Sequence, residues 1–233
     1  EFFFNPRDFP VLRQDHKEPY DQIFGDTQVE PEYQFKTFTP ILSQCGHSGY
    51  HDIPVPTEDD MKRISGKLFQ EECKNAYHTP PTFELDWSKK KDRCVFRGSA
   101  TGCGITRETN MRLKAAYLSY ELTQSHEFQN SKGQDVLDVK LTSWNRKPKM
   151  YEGELGEIQP KGAPRGFVVD TRKNYMDWNE QSTCKYILNI DGHVKAFRLG
   201  NELRYGSVIL LVDSPYTLWF QTFMEPMVHY IPV

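Results

Sequence analysis

The last fifty residues constrain the fold most tightly. Lys185-Tyr186-Ile187-Leu188-Asn189-Ile190 reads as a strand, and Asp191-Gly192 ends it. Residues 194–204 can form a helix. Ser207-Val208-Ile209-Leu210-Leu211-Val212 is an apolar run of the kind buried on both faces of a parallel sheet. Pro215 suits the first position of a helix and predicts one through about Met224. Val228 to Ile231 reads as a third strand. The order is β-α-β-α-β with short connections, the mononucleotide-binding half of a doubly wound sheet.

A further unit of the same kind precedes it. Arg93-Cys94-Val95-Phe96-Arg97 is a strand, and Gly98 to Gly104 is a glycine-rich loop. Thr106 to about Thr123 is a helix in which Met111, Ala115, Leu118 and Leu122 recur every three or four residues. Val136 to Leu141 is the next strand, and 143–166 is loop-like. The expected fold class is therefore α/β with parallel sheets. Upstream, residues 2–4 and 36–43 read as strands, 44–49 as a turn and Tyr50 to Pro56 as extended chain. A helix over 58–75 is expected, with Thr57 as N-cap. Both ends fall in strand-like segments, so the chain is expected to be a piece of a longer one, truncated at both ends.

Charge and cysteines exclude several functions. Residues 1–60 hold 12 acids and 4 bases, whereas 61–233 hold 20 acids and 25 bases. The second part is the better place for an anion, although an ordinary solvated surface explains the asymmetry as well. A pI of about 6.2 argues against nucleic acid. No apolar run is long enough to span a bilayer as a helix, so no membrane contact is expected. The five cysteines include no C-x-x-C pair. Cys45-Gly46-His47 with His51 lacks a second ligand pair at finger spacing, so no metal site is expected.

Three segments are candidate sites. The loop Gly98 to Gly104 lies between a strand and a helix, where backbone N–H groups and the helix N-terminus favour phosphate. Its G-x-x-x-G-x-G spacing fits neither the Walker loop nor the dinucleotide fingerprint, and a plain tight turn explains the glycines equally well. Asp191-Gly192-His193-Val194-Lys195-Ala196-Phe197-Arg198 follows a strand, where open α/β sheets bind ligands. Lys195 and Arg198 are three residues apart on one face, against the alternative of two solvated bases. Arg7-Asp8 follows the first strand. A carboxylate there can act as a general base, although from these residues alone a capping turn residue is the leading reading. His47, His51 and His229 read as packing residues, and Lys89-Lys90-Lys91 as a solvated edge.

The motif series Phe2-Phe3-Phe4-Asn5-Pro6-Arg7-Asp8, Tyr50-His51-Asp52-Ile53, Phe96-Arg97-Gly98-Ser99, Tyr186 to Gly192, Ala196-Phe197-Arg198, Gly206-Ser207 and Val228 to Val233 resembles glycosyltransferase family 90. That family includes the Rumi-type protein O-glucosyltransferases and capsule-associated xylosyltransferases. The resemblance runs end to end. It implies a GT-B architecture, with two Rossmann-like lobes, here over 1–87 (acceptor side) and 88–233 (donor side). It also implies inverting transfer of glucose or xylose from UDP-glucose or UDP-xylose to a protein or glycan acceptor, without a metal or other cofactor. By motif position Asp8 matches the catalytic base and Arg7 lies close to the acceptor. Ser99, Arg107, Val194, Lys195, Ala196, Phe197 and Arg198 match residues that hold the UDP-sugar. A non-catalytic sugar- or nucleotide-binding module on the same fold is the alternative, and an NAD-dependent enzyme is disfavoured by the glycine spacing. The resemblance implies the endoplasmic reticulum or Golgi lumen. In luminal members, however, the cysteine matching Cys184 pairs with one about where Tyr205 stands here. Without that bridge, a cytoplasmic setting stands beside the luminal one.

Overall fold

The computed structural model describes residues 3–14, 40–58, 60, 61, 85–145, 147–151, 154–158, 163 and 165–233. Its strands are β1 (Phe3–Asn5), β2 (Ile41–Ser43), β3 (Gly46–His47), β4 (Ile53–Pro54), β5 (Lys91–Ala100), β6 (Leu137–Trp144), β7 (Lys149–Tyr151), β8 (Glu154–Gly156), β9 (Cys184–Asn189), β10 (Val208–Leu211), β11 (Tyr216–Thr217) and β12 (Ile231–Pro232). The helices are α1 (Met111–Ser125), α2 (Thr171–Asn174), α3 (Trp178–Ser182) and α4 (Leu199–Glu202). Two compact units form, one from Glu1–Pro81 with Ser214–Met224 and one from Thr82–Asp213 with Glu225–Val233.

The first unit carries a three-stranded parallel sheet in the order β1-β2-β4. Asn5 and Asp52 organise the turn that leaves β1. Asn5 Nδ2 donates to the Phe9 carbonyl at 2.6 Å and to Ser43 Oγ at 3.1 Å. The Asp52 carboxylate, buried, accepts from Val11 N, Leu12 N and Ser43 Oγ. Thr57 caps a helical turn as its sequence suggests: its hydroxyl accepts from Asp60 N at 3.2 Å and its own N–H donates back to Asp60 Oδ2 at 2.9 Å. Residues 59 and 62–75 of the expected helix lie outside the described residues.

The expected helix from Pro215 to Met224 is replaced by β11 and a 3-10 turn at Gln221–Phe223. The reason is tertiary. Tyr216 and Thr217 pair antiparallel with His47 and Gly46, the His47 ring meets Tyr216 edge-on at 4.7 Å, and Trp219 Nε1 donates to Asp60 at 3.0 Å. A Tyr-Thr-Leu-Trp-Phe run has little intrinsic hold on a helix and yields to such pairing.

The second unit is built on a five-stranded, fully parallel sheet in the order β12-β10-β9-β5-β6. Val95 and Ile187, adjacent in register, are completely buried, as the apolar strands require. The opposite face, with Phe96, Val139, Leu141 and Leu188, packs on Leu113, Ala116 and Tyr117 of α1. Each Val, Leu or Phe buried there contributes about 1.5–3 kcal/mol relative to exposure. The apolar spacing identified the helix but not its buried stripe. Met111 and Leu118 stay about half exposed, while Arg112, Leu113, Ala116, Tyr117 and Ser119 face inward.

Two polar residues fix that rotation. Arg112 reaches the carboxyl ends of β5 and β9. Ser119 satisfies the free edge of β6, donating to the Leu137 carbonyl and accepting from Val139 N. Asn174 of α2 covers a later edge carbonyl, that of Leu141, at 2.7 Å. These side chains occupy part of the edge that another strand would need.

At the other end of the sheet Lys90 departs from the expected solvated lysine run. It is buried, and its ammonium donates to the carbonyls of Ser182 and Tyr205 and to Ser207 Oγ. Cys184 is a free, buried thiol in the same neighbourhood. Lys90 thus ties β5 to the segments before β9 and before β10.

Candidate functional site

The order of chain connections creates the site. From β5 the chain moves through α1 to β6 on one side. From β9 it moves through α4 to β10 and then β12 on the other. The topological switch point therefore lies between β5 and β9, and ligands of open α/β sheets bind outside the carboxyl ends there. The loops that leave those two strands are the two phosphate-site candidates identified in the sequence. Separated by about ninety residues in sequence, they lie side by side at the switch point.

The glycine-rich loop differs in detail from its sequence reading. Gly98 and Ser99 belong to β5, which runs to Ala100 with a register shift between Gly98 and Ala100. The loop proper, 101–110, is stitched to itself. Thr109 Oγ1 accepts from Ile105 N and Thr106 N, Thr101 N donates to the Ser99 carbonyl, and Asn110 caps α1 through Leu113 N. Gly104, at φ +79°, is required by this turn, because a Cβ would stand 2.2 Å from the Thr109 carbonyl oxygen. With these amides already engaged, the loop is a scaffold more than an open cradle for phosphate.

Arg112 joins the two loops. Its Nε donates to the Asp191 carbonyl at 2.9 Å and its Nη2 to the Ile190 carbonyl at 2.9 Å. Its Nη1 donates to the Ser99 carbonyl at 2.9 Å and to Thr101 Oγ1 at 2.6 Å. Gly192 permits this approach, since a Cβ there would lie 3.0 Å from Thr101 Oγ1 and 3.2 Å from Arg112 Nη2. Burial, with the Arg198 charge adding to it, lowers the Arg112 pKa to about 9 against the pull of Asp191 and Glu202. The guanidinium therefore remains charged at neutral pH. Sequence reasoning missed Arg112, because a basic residue in the first turn of a helix carries no signal of its own.

The predicted residues of the second loop separate by role. Arg198 donates through Nη1 to the Arg97 carbonyl, pairs through Nε with Glu202 at 3.1 Å and lies 4.7 Å from the Phe96 ring centroid. Arg112 lies 5.3 Å from the same ring, so two cations share one aromatic face system. Lys195 is turned inward: its side chain is 1% exposed and its ammonium stands 3.6 Å from Asp191 Oδ1. Burial lowers its pKa and Asp191 opposes that shift. Val194 and Ala196 are buried, with Ala196 N donating to Asp191 Oδ1, and Phe197 is half-buried. The helix expected over 194–204 is reduced to α4, because Gly192 to Phe197 form the turn around Asp191. Ser99 Oγ accepts from Ser143 Oγ at 2.7 Å, and Asn145 contacts His193 at 2.9 Å. These contacts bring the end of β6 to the same rim.

Arg107 takes no part in the contacts that join the two loops. It is exposed on the loop and pairs bidentately with Glu121 at 2.5 and 2.7 Å. The first unit holds Asp8 and Arg7, both exposed in the turn after β1. Arg7 N donates to Asn5 Oδ1 and Cys45 Sγ donates to the Asp8 carbonyl, each at 3.0 Å. That turn is thus held by backbone and neighbouring side chains. Among the described residues the Asp8 carboxylate has no hydrogen-bond or ion-pair partner, which leaves both oxygens open to solvent or substrate.

Comparison with known proteins adds a chemical frame. The model of Glycosyl transferase family 90 matches residues 1–233. Uncharacterized protein 035R of Invertebrate iridescent virus 3 is 37% identical over 245 residues, covering 100% of this chain and 20% of that protein. Protein O-glucosyltransferase 3 of Homo sapiens is 28% identical over 201 residues, covering 83% of this chain and 31% of the relative. Protein O-glucosyltransferase 2 of Danio rerio is 25% identical over 214 residues, with coverage of 89% and 35%. The chain thus spans between a fifth and about a third of the length of these relatives.

Proposed function

Because the chain belongs to glycosyl transferase family 90, we propose that it forms the nucleotide-sugar-handling part of an inverting glycosyltransferase that moves glucose or xylose from a UDP-sugar to an acceptor hydroxyl. The observation that carries this reading is the Arg112 clamp at the switch point, with Arg198 beside it, in a chain of this family. The architecture proposed with it is GT-B, with the β1-β2-β4 unit on the acceptor side and the five-stranded unit on the donor side. The acceptor is a protein or glycan hydroxyl, and the setting is the lumen that the family resemblance implies.

The chemistry follows from charge. Asp8 takes the acceptor proton as the hydroxyl attacks the anomeric carbon from the face opposite the leaving group. The departing diphosphate gains negative charge, and preorganised cations that need not reorient stabilise it. Arginine suits this task because its planar fork matches phosphate oxygens. We assign direct contact with the diphosphate to Arg198; Arg112, whose donors hold loop oxygens, positions the two loops and adds its charge, and Arg107 is left out of this assignment because it pairs with Glu121 on the exposed surface. Metal independence is part of this proposal: the two guanidiniums supply the charge that a metal ion supplies in other transferases. Ser99 and the backbone of Val194 to Phe197 form the wall for the ribose and sugar.

A panel of UDP-sugars with product mass measurement tests the reading directly. The result expected is transfer or hydrolysis of UDP-glucose or UDP-xylose, and failure with every UDP-sugar together with no UDP binding would sink it. Two arginine variants sharpen the assignment. Arg198→Ala is expected to weaken UDP binding about tenfold or more, the scale of a charge-assisted hydrogen bond. Arg107→Ala is expected to leave UDP affinity near wild type, since its exposed pair with Glu121 is screened by solvent. Calorimetric titration of both with UDP checks the contrast, and equal losses would return Arg107 to the site.

A further inference from the structure

One buried carboxylate stands against the arginine cluster without a part in the transfer chemistry. Glu202 of α4 is 2% exposed, one helical turn beyond Arg198. Asn189 Nδ2 donates to one carboxylate oxygen at 2.6 Å, and Arg198 Nε stands 3.1 Å from the other. Burial raises the Glu202 pKa, while Arg198, Asn189 and Arg112 oppose that shift. A carboxylate is costly to bury and persists where a cation needs it. Here the need is visible: Arg112 and Arg198, two like charges, share the Phe96 ring. Arg112 spends Nε, Nη1 and Nη2 on loop oxygens, whereas Arg198 Nε and Nη2 are buried without a hydrogen-bond partner among the described residues. Lys195 and Asp191 balance each other locally. The two arginines against Glu202 leave one net positive charge facing a ligand that carries more than one negative charge.

We propose that Glu202 is the site's internal counter-ion: a positioning residue that holds the place of diphosphate charge in the empty site and competes with the nucleotide for Arg198. This rests on the nucleotide-sugar reading and deepens it. An arginine pair strong enough to stabilise the leaving diphosphate would also retain the product UDP. A fixed carboxylate behind Arg198 offsets part of that hold and speeds release, while it keeps the unliganded cluster from self-repulsion.

The test is Glu202→Gln, which keeps volume and a hydrogen-bond acceptor for Asn189 but removes the charge. UDP is expected to bind about tenfold tighter, the scale of losing one like charge several ångströms from a phosphate in a partly screened site. Uridine, which has no phosphate, is expected to bind as it does to wild type. The unliganded variant is expected to melt lower, and turnover to fall as release slows. A purely structural role for Glu202 gives a different pattern, in which UDP and uridine both bind more weakly. Wild-type protein that binds UDP, with a variant whose UDP affinity is unchanged or lower, overturns the counter-ion role alone. Wild-type protein that fails to bind UDP overturns the nucleotide-sugar reading and this inference with it. Should Glu202→Gln yield no folded protein, Glu202→Met, neutral and of similar volume, takes its place in the same comparison.

Discussion

Substituting Asp8 by Asn is expected to lower the transfer rate by about 10²–10⁴-fold, the typical contribution of a general base, while UDP affinity stays close to wild type. The two readouts separate because of how Asp8 is held. Its turn is fixed by the Asn5 side chain, by the Cys45 thiol on the Asp8 carbonyl and by Asp52 on the amides of Val11 and Leu12. The Asp8 carboxylate itself takes no part in that scaffold among the described residues. The amide isostere therefore keeps the turn and removes only the proton acceptor. Steady-state rates with a UDP-sugar, set beside calorimetric titration of UDP, check both halves. Retained turnover would remove Asp8 from the role of base, and lost UDP binding would show that the turn had been disturbed.

The second large effect is expected from Arg112. Arg112→Ala leaves the carbonyls of Ser99, Ile190 and Asp191 and the Thr101 hydroxyl without their common donor. Buried acceptors left without a donor cost about 1–3 kcal/mol each, and for a chain of this size the melting temperature is expected to fall by about 10 °C. The two loops at the switch point then lose their register, and UDP affinity is expected to drop by at least about a hundredfold, more than the scale of a single charged hydrogen bond. Arg112→Lys is expected to rescue little, because one ammonium on a flexible stem cannot reach four acceptors arranged around a planar fork. Thermal melts and UDP titration of both variants test this. A lysine variant with wild-type melting and binding would show that only the positive charge matters, and an alanine variant unchanged in both would remove Arg112 from the site.

The sequence carried the second unit well where apolar periodicity is local. The strands at Lys91–Ala100, Leu137–Trp144, Cys184–Asn189 and Val208–Leu211 all fall on their apolar runs, and α1 falls on its three-to-four spacing. Signals failed where a distant partner decided the outcome. Residues 216–217 became a strand because His47 and Gly46 offered an edge, and Lys90 was buried because three oxygens from two other segments converged on its ammonium. Met111 and Leu118 remained outside because Arg112 and Ser119, both polar, set the rotation of α1. In each case the local sequence permitted two conformations or two faces, and packing chose between them.

The candidate site divides along the same line. Sequence by itself determined that two loops follow strands of a parallel sheet, that each carries a basic residue, and that an acid follows the first strand. Those properties reside in short stretches of chain, where side-chain period and turn residues act over a few residues. Only the tertiary structure decided that the loops meet at the switch point, that Arg112 and not Arg107 joins them, and that Lys195 turns inward while Arg198 shares Phe96. The physical reason is that a guanidinium takes the geometry of the acceptors around it. The carbonyl ends of β5 and β9 become such acceptors only after the sheet has brought them together.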